Sequence, residues 1–487
     1  MLIHQTLPQI DGIIILAYFS AVLAVGLSSS RRKDGDSAMY FLSGRDLGWF
    51  SIGASFIAAD TLCGHIVGIS GPFSGVLAID MELVGIVGLT LLGWWFGPEF
   101  IKRKIFTITD LLDRRYREKA GAYVSASYIV IYLLTRLSLV LFMGAFLIRQ
   151  FSNSDVYVTI AAIVLIAGLY SIVGGFSAVV NTQVFQAVII LAGLGALFLG
   201  FADSASAART TISVSESAFV QPNVGFPWIA FLIGIPLIVF WLLFTDQYML
   251  QHVFGARSQR DLEKGTLLVI VVKVLAVGGL LVWIFLMPSE VRSLSSGMSL
   301  SPFYRGLVLI GIFSAMMSSL SGLFNSTSAL FTLDLYKRKH PDDSERKLVL
   351  VGRLSTTAAV VLSLLWMPLL SIFDWQGSSS LQSLLAYFAA IVAAVFISGM
   401  LWKRATPLAV ACALVVGTAV GTVRLVAEHF VNPDLIKNDV ILWLVQTHYL
   451  NFASIVFVIC IFVIVGVSLV VPSRGTGAAI SQVQRNP

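Results

Sequence analysis

A helix-length apolar stretch at 48–71 carries Asp60 and His65 in its middle. A carboxylate held in hydrocarbon is costly unless it meets a partner, an ion or a watery cavity, so Asp60 marks a candidate pathway for ions or solutes. The same stretch is rich in Gly, Ala and Ser. Small residues let helices approach closely, and where a helix opens beside a cavity its freed carbonyl oxygens can hold a cation. The chemistry on offer is cation and polar-solute binding. No HExxH pair, GxSxG elbow or phosphate-binding glycine loop occurs along the chain, which argues against a membrane-embedded enzyme.

The surrounding elements must be membrane helices. Of 487 residues 57% are hydrophobic and 12% charged, with a mean hydropathy of +0.88, a balance foreign to ordinary soluble domains. Apolar runs of bilayer-spanning length are expected near 9–28, 48–68, 76–98, 121–148, 156–174, 183–201, 226–246, 265–288, 303–336, 350–372, 380–402, 406–427 and 449–471, about thirteen in all. Clusters such as Arg31, Arg32 and Lys33, then Lys102 to Lys104, then Arg257, Arg260 and Lys264, then Lys337 to Lys339, fall in alternate loops. Their bias toward one side places the N-terminus outside and the C-terminus in the cytoplasm of an inner or plasma membrane. The net charge of +6 accordingly fits cytoplasmic loops against a lipid bilayer with anionic headgroups, not nucleic acid. Cys63, Cys412 and Cys460 are odd in number and far apart, which suggests neither a disulfide framework nor a transition-metal site. No removable signal peptide is evident at the start.

The spans read as one transmembrane transporter domain over 1–471, followed by a short cytoplasmic tail at 472–487. A Ser/Ala/Thr-rich connector at 203–225 separates two five-span blocks, and the first member of each is interrupted: 48–71 by its Gly/Ala/Asp run, 226–246 by Gly234 and Pro236. Paired interrupted segments at matching positions point to an inverted-repeat transporter with its site near the midplane. The first repeat is expected at about 48–201 and the second at about 226–402, with 9–28, 406–427 and 449–471 as additional helices.

Four separated motifs now carry a resemblance: FLSGRDLGWFSIGASFIAADTLCGHIVGISG at 41–71, GWWFGPEFIKRKIFTITDLLDRRY at 93–116, YSIVGGFSAVV at 170–180 and SAMMSSLSGLFNSTSALFTLDLYKR at 314–338. In this order they closely resemble the sodium/solute symporter family, which includes sodium/glucose, sodium/proline and sodium/sialic acid cotransporters. The resemblance implies an all-α polytopic fold with a five-plus-five inverted-repeat core of the LeuT type. It also implies a sodium site formed by the carbonyls of Ala58, Thr61 and Ala315 and the hydroxyls of Ser318 and Ser319. Oxygen ligands suit a hard cation, although serines in membrane helices also bond to their own helix or a neighbour. Relatives with a second sodium site carry an aspartate where this chain has Gln183, and Gly322 stands where a serine would help complete it. One coupling ion is the expectation.

For the solute, the resemblance aligns His65, Glu82, Lys273 and Gln382 with residues that contact sugar hydroxyls. Together they offer a carboxylate acceptor, an ammonium donor, and an imidazole and an amide able to do either. Each has a plainer reading. His65 and Gln382 could join helices, Lys273 could extend toward the interface, and Glu82 could share a proton with Asp80. Proline symporters have Asp at the Asp60 position, linked there to cation binding. Here Asp60 is assigned to cation or solute binding, or alternatively pairs with Lys273 or Arg136, and its titration leaves proton coupling open. The sequence departs from sugar carriers at Val239 and Leu242, beside Trp241, where they present an amide and a stacking tyrosine. Arg136 matches an arginine that binds the carboxylate in sialic acid carriers, and could otherwise pair with Asp60 or Glu82. The reading is a Na⁺-coupled symporter importing a small polar solute, a sugar or sugar derivative, by alternating access. The alternatives are a Na⁺ or H⁺ symporter for a carboxylate such as sialic acid, a monocarboxylate, pantothenate or proline, and a channel or sensor on the same scaffold.

Overall fold

A computed structural model describes residues 9–29, 35–60, 74–116, 118–152, 154–207, 228–286, 301–368, 375–430 and 438–471. The described chain is helical almost throughout, with a single isolated bridge between Leu47 and Ala256. Hydrocarbon offers the backbone no water, so each apolar run satisfies its own N–H and C=O groups as a helix. Nine of the described helices are long and apolar enough to cross a membrane, and the helices at Ala230–Thr245 and Gln247–Phe254 meet the same test only as a pair, across a 43° bend. This is an all-α polytopic membrane protein.

The helices used below are α1 (Gln9–Ser29), α2 (Ser37–Leu42), α3 (Trp49–Asp60), α4 (Ser74–Leu91), α5 (Thr109–Tyr116), α6 (Glu118–Ile131), α7 (Leu137–Phe151), α8 (Val156–Ala207), α9 (Ile235–Phe240), α10 (Gln247–Phe254), α11 (Gln259–Leu286), α12 (Pro302–Ala329), α13 (Glu345–Trp366), α14 (Trp375–Leu401), α15 (Pro407–Phe430), α16 (Asp439–Gln446) and α17 (Tyr449–Val470). Their order follows the expected spans closely. The spans expected at 156–174 and 183–201 are joined without a loop, since Gly175 alone leaves the helical conformation, at φ 58° and ψ −149°. Only glycine adopts that region readily, and a Cβ there would stand 2.4 Å from the Tyr40 carbonyl oxygen. Wider π-type turns interrupt several spans, including Tyr132–Arg136 between α6 and α7 and Trp241–Thr245 ahead of α10. Such turns recur at functional sites.

The chain forms two compact units. The first comprises 1–108, 125–226 and 242–381. In it α8 packs along α12, and a Cβ on Gly193 would lie 3.0 Å from the Gly311 Cα, a close approach that small residues permit. The start of α3 is pinned by backbone pairing: Leu47 N–H donates to Gly255 O and Arg257 N–H to Leu47 O, each at 3.0 Å. Asp261 Oδ1 accepts from the Trp49 N–H at 3.2 Å. A hydrogen bond from the Ser258 hydroxyl, aided by Arg257, holds the Asp261 carboxyl below the usual carboxylate range. The anchor is therefore ionised at neutral pH.

The second unit comprises 109–124, 227–241 and 382–487. Arg115 donates from its guanidinium to the carbonyls of Gly399, Trp402 and Lys403 at 3.2, 3.1 and 2.9 Å, tying α5 to the end of α14. Within this unit α15 packs on α17, and Arg424 joins Glu428 at 3.2 Å and the Thr447 carbonyl at 3.1 Å.

Candidate cation and solute site

The last nine residues of α3, Ile52 to Asp60, are all buried, as expected of a helix packed among others rather than facing lipid. Against it lies α12, whose residues from Val308 to Ala329 are buried without exception. The Ser318 hydroxyl lies 2.7 Å from the Ala58 carbonyl oxygen and 3.0 Å from the Ala315 carbonyl oxygen. One hydroxyl proton serves only one acceptor well, so Ser318 donates to one of these carbonyls at a time and lies within reach of both. Ser319 Oγ is buried and finds no hydrogen-bond partner among the described residues. Carbonyls of Ala58 and Ala315, the Ser318 hydroxyl between them and a buried Ser319 hydroxyl with uncommitted lone pairs form a donor set suited to a hard cation such as Na⁺. Thr61, the fifth expected ligand, and His65 lie outside the described residues.

Beside this oxygen cluster stands a shared lysine. Lys273 Nζ, on α11, pairs with Asp60 at the end of α3 and with Glu82 on α4, the latter at 2.6 Å. The three side chains are 10, 17 and 11% exposed for Asp60, Glu82 and Lys273. Of the readings open for these residues, the pairing of Asp60 with Lys273 is the one observed. Glu82 turns to Lys273 rather than to Asp80, and Lys273 does not extend toward the interface. With both acids ionised the cluster carries one net negative charge, and it offers acceptors and a donor to hydroxyl groups.

Arg136 joins neither Asp60 nor Glu82. It forms a buried ion pair with Asp246, which also accepts from the Tyr132 hydroxyl. Asp246 occupies the extended residue between the π-type turn and α10. The Tyr248 N–H donates to Tyr132 Oη at 3.2 Å, and the Tyr248 hydroxyl donates to the Ala59 carbonyl at 2.8 Å. Gln382 belongs to the second unit, where its Oε1 accepts from the Tyr449 hydroxyl at 3.2 Å. Sequence reasoning passed over Asp246, and also Asp334, which accepts from Thr107 and Ser125 hydroxyls at 2.7 and 2.6 Å. The signal was present: both are carboxylates inside apolar spans, the criterion that singled out Asp60.

Known proteins match this chain over most of its length. The profile of the sodium:solute symporter family matches residues 40–292 and 297–417. The chain is 30% identical to the mouse sodium/myo-inositol cotransporter 2, over 96% of this chain and 77% of that protein. It is 29% identical to the rabbit sodium/glucose cotransporter 1, over 94% and 78%. Among solved structures, an outward-open, substrate-bound Na⁺-coupled sialic acid symporter superposes with a TM-score of 0.75 at 20% identity, over 96% of this chain and 98% of that one. At that identity the likeness is one of fold.

Proposed function

Because the chain belongs to the sodium:solute symporter family, we propose that it imports a small neutral polyhydroxylated solute, a sugar or cyclitol, together with Na⁺ as the coupling ion. The observation that carries this reading is Lys273 shared between Glu82 and Asp60, the latter two residues after Ala58. Hydroxyls of a solute would donate to the carboxylates and accept from the ammonium. Sodium/myo-inositol and sodium/glucose cotransporters among the relatives support a polyol. Neutralisation of Arg136 by Asp246 weighs against a carboxylate solute, which would need that guanidinium for a bidentate pair.

The mechanism is alternating access. Na⁺ enters from outside and takes the carbonyls of Ala58, Thr61 and Ala315 and the hydroxyls of Ser318 and Ser319, drawing the end of α3 to α12. Asp60 sits on that same end, so the solute cluster tightens when the ion is present, and by reciprocity solute raises the affinity for Na⁺. His65 adds a further hydroxyl contact. Inward opening parts the two helices and releases both. One Na⁺ moves per cycle, the repeats run over about 48–201 and 226–402, the termini lie outside and in the cytoplasm of the plasma membrane, and the work is transport rather than catalysis.

The test is thermal unfolding of the purified protein with hexoses, myo-inositol, sialic acid and lactate, each in Na⁺ and in K⁺. A ligand at one hundred times its Kd stabilises the folded state by about 2.7 kcal/mol. Stabilisation by a hexose or inositol in Na⁺ alone is the expected result. Stabilisation by sialic acid or lactate, with none by the polyols, assigns the carboxylate class instead.

A further inference from the structure

All eight residues of α10, Gln247 to Phe254, are buried, and three of its polar side chains, Tyr248, Gln251 and His252, bond to α3, α12 and α8. Tyr248 donates to Ala59 O on α3 at 2.8 Å, the carbonyl next to that of Ala58. His252, one turn on and on the same face, meets Gln183 Oε1 of α8 through Nε2 at 3.0 Å. Gln183 in turn donates from Nε2 to the Ser318 carbonyl on α12 at 3.2 Å. Gln251 Oε1 accepts from Asn325 and Ser326 of α12 at 3.1 and 3.0 Å. At its leading end, Asp246 is clamped by Arg136 and Tyr132, and the Arg136 guanidinium lies 4.8 Å from the centre of the Tyr248 ring, which orients the phenol.

We propose that α10 is the positioning element of the cation site: Tyr248 holds α3, and His252 through Gln183 holds α12, at the spacing that a bound Na⁺ requires. Neither side chain is a cation ligand. Tyr248 sets the peptide that follows the Ala58 carbonyl, and Gln183 sets the backbone of Ser318, whose hydroxyl faces that carbonyl. The Asp246 clamp makes this spacing answer to the break in the span that carries it, so a change at the break is felt at the cation. The inference rests on the assignment of Na⁺ to Ala58, Ala315, Ser318 and Ser319.

The full-length protein is unfolded by heat across a Na⁺ series at constant ionic strength, with K⁺ as the balancing ion. The Na⁺ concentration giving half the maximal gain in Tm is compared with the Tm in K⁺ alone. Tyr248→Phe keeps the ring and loses the hydroxyl. It is expected to raise half-saturation about 3–10-fold, as for one hydrogen bond, with little change in Tm in K⁺. Gln183→Met is expected to act in the same direction and decides alone if Tyr248→Phe does not fold. Ser55→Ala serves as the control: its buried hydroxyl bonds within its own turn, to Ile52 O at 3.2 Å, and half-saturation is expected to stay at the wild-type value. Wild-type half-saturation in both Tyr248→Phe and Gln183→Met, or an equal rise in Ser55→Ala, overturns the proposal. A wild-type Tm indifferent to Na⁺ removes the cation assignment itself and the positioning role with it, an outcome distinct from the other two.

Discussion

Ser318 touches both walls of the cation site, since its hydroxyl lies within hydrogen-bonding distance of a carbonyl on α3 and of one on its own helix. Ser318→Ala and Ser319→Ala should each raise the Na⁺ concentration for half-maximal uptake, by the equivalent of about 1–3 kcal/mol for a buried polar partner removed. Unchanged Na⁺ dependence in both variants would sink the assignment. Lys273 answers to a different balance, because it is the ammonium between two buried carboxylates. Lys273→Met should cost about 3–5 kcal/mol of stability, the usual price of stranding a buried charge. Adding Asp60→Asn and Glu82→Gln should restore the Tm but not solute binding. A Lys273→Met protein as stable as wild type would overturn this reading of the ion pairs.

At the scale of elements, the passage from one span to the next within α8 depends on a single residue. Gly175 combines φ 58° with contact against the Tyr40 carbonyl, so any side chain meets both backbone strain and a clash. Gly175→Ala should lower stability by at least about 1–3 kcal/mol and reduce the yield of folded protein. An unaltered Tm would show that α8 can turn elsewhere. The same helix supplies Gln183 to α12 and approaches it through Gly193 and Gly311, so damage at Gly175 should also weaken the Na⁺ response, whereas substitutions on lipid-facing residues such as Leu165 or Leu169, both exposed, should not.

For the whole molecule the open quantity is coupling. Gln183, where a second-site carboxylate would stand, is neutral and already committed to His252 and the Ser318 carbonyl, leaving no charge for a second ion. Na⁺ activation of uptake should be hyperbolic, with a Hill coefficient near one and one charge moved per neutral solute. A sigmoidal response or a two-to-one flux ratio would reject single-ion coupling. Uptake driven equally by a pH gradient without Na⁺ would transfer the coupling role to protonation of Asp60.

The spans were legible in the amino-acid sequence because burial in lipid is a local constraint: a run of apolar residues has no choice but to be a helix, and its length and flanking cations can be read along the chain. The four motifs likewise carried the family, and the carboxylate rule found Asp60. Partner choice was not legible, because it depends on which distant helices meet. Lys273 and Glu82 are 191 residues apart, Arg136 and Asp246 are 110 apart, and hydropathy says nothing about which acid faces which base. Arg136 had three candidate roles from its type and place, and tertiary packing assigned it to Asp246. Packing also turned Tyr248 to the Ala59 carbonyl of α3 and His252 to Gln183, which bonds the Ser318 carbonyl of α12, because the break at Asp246 sets the direction in which α10 leaves it.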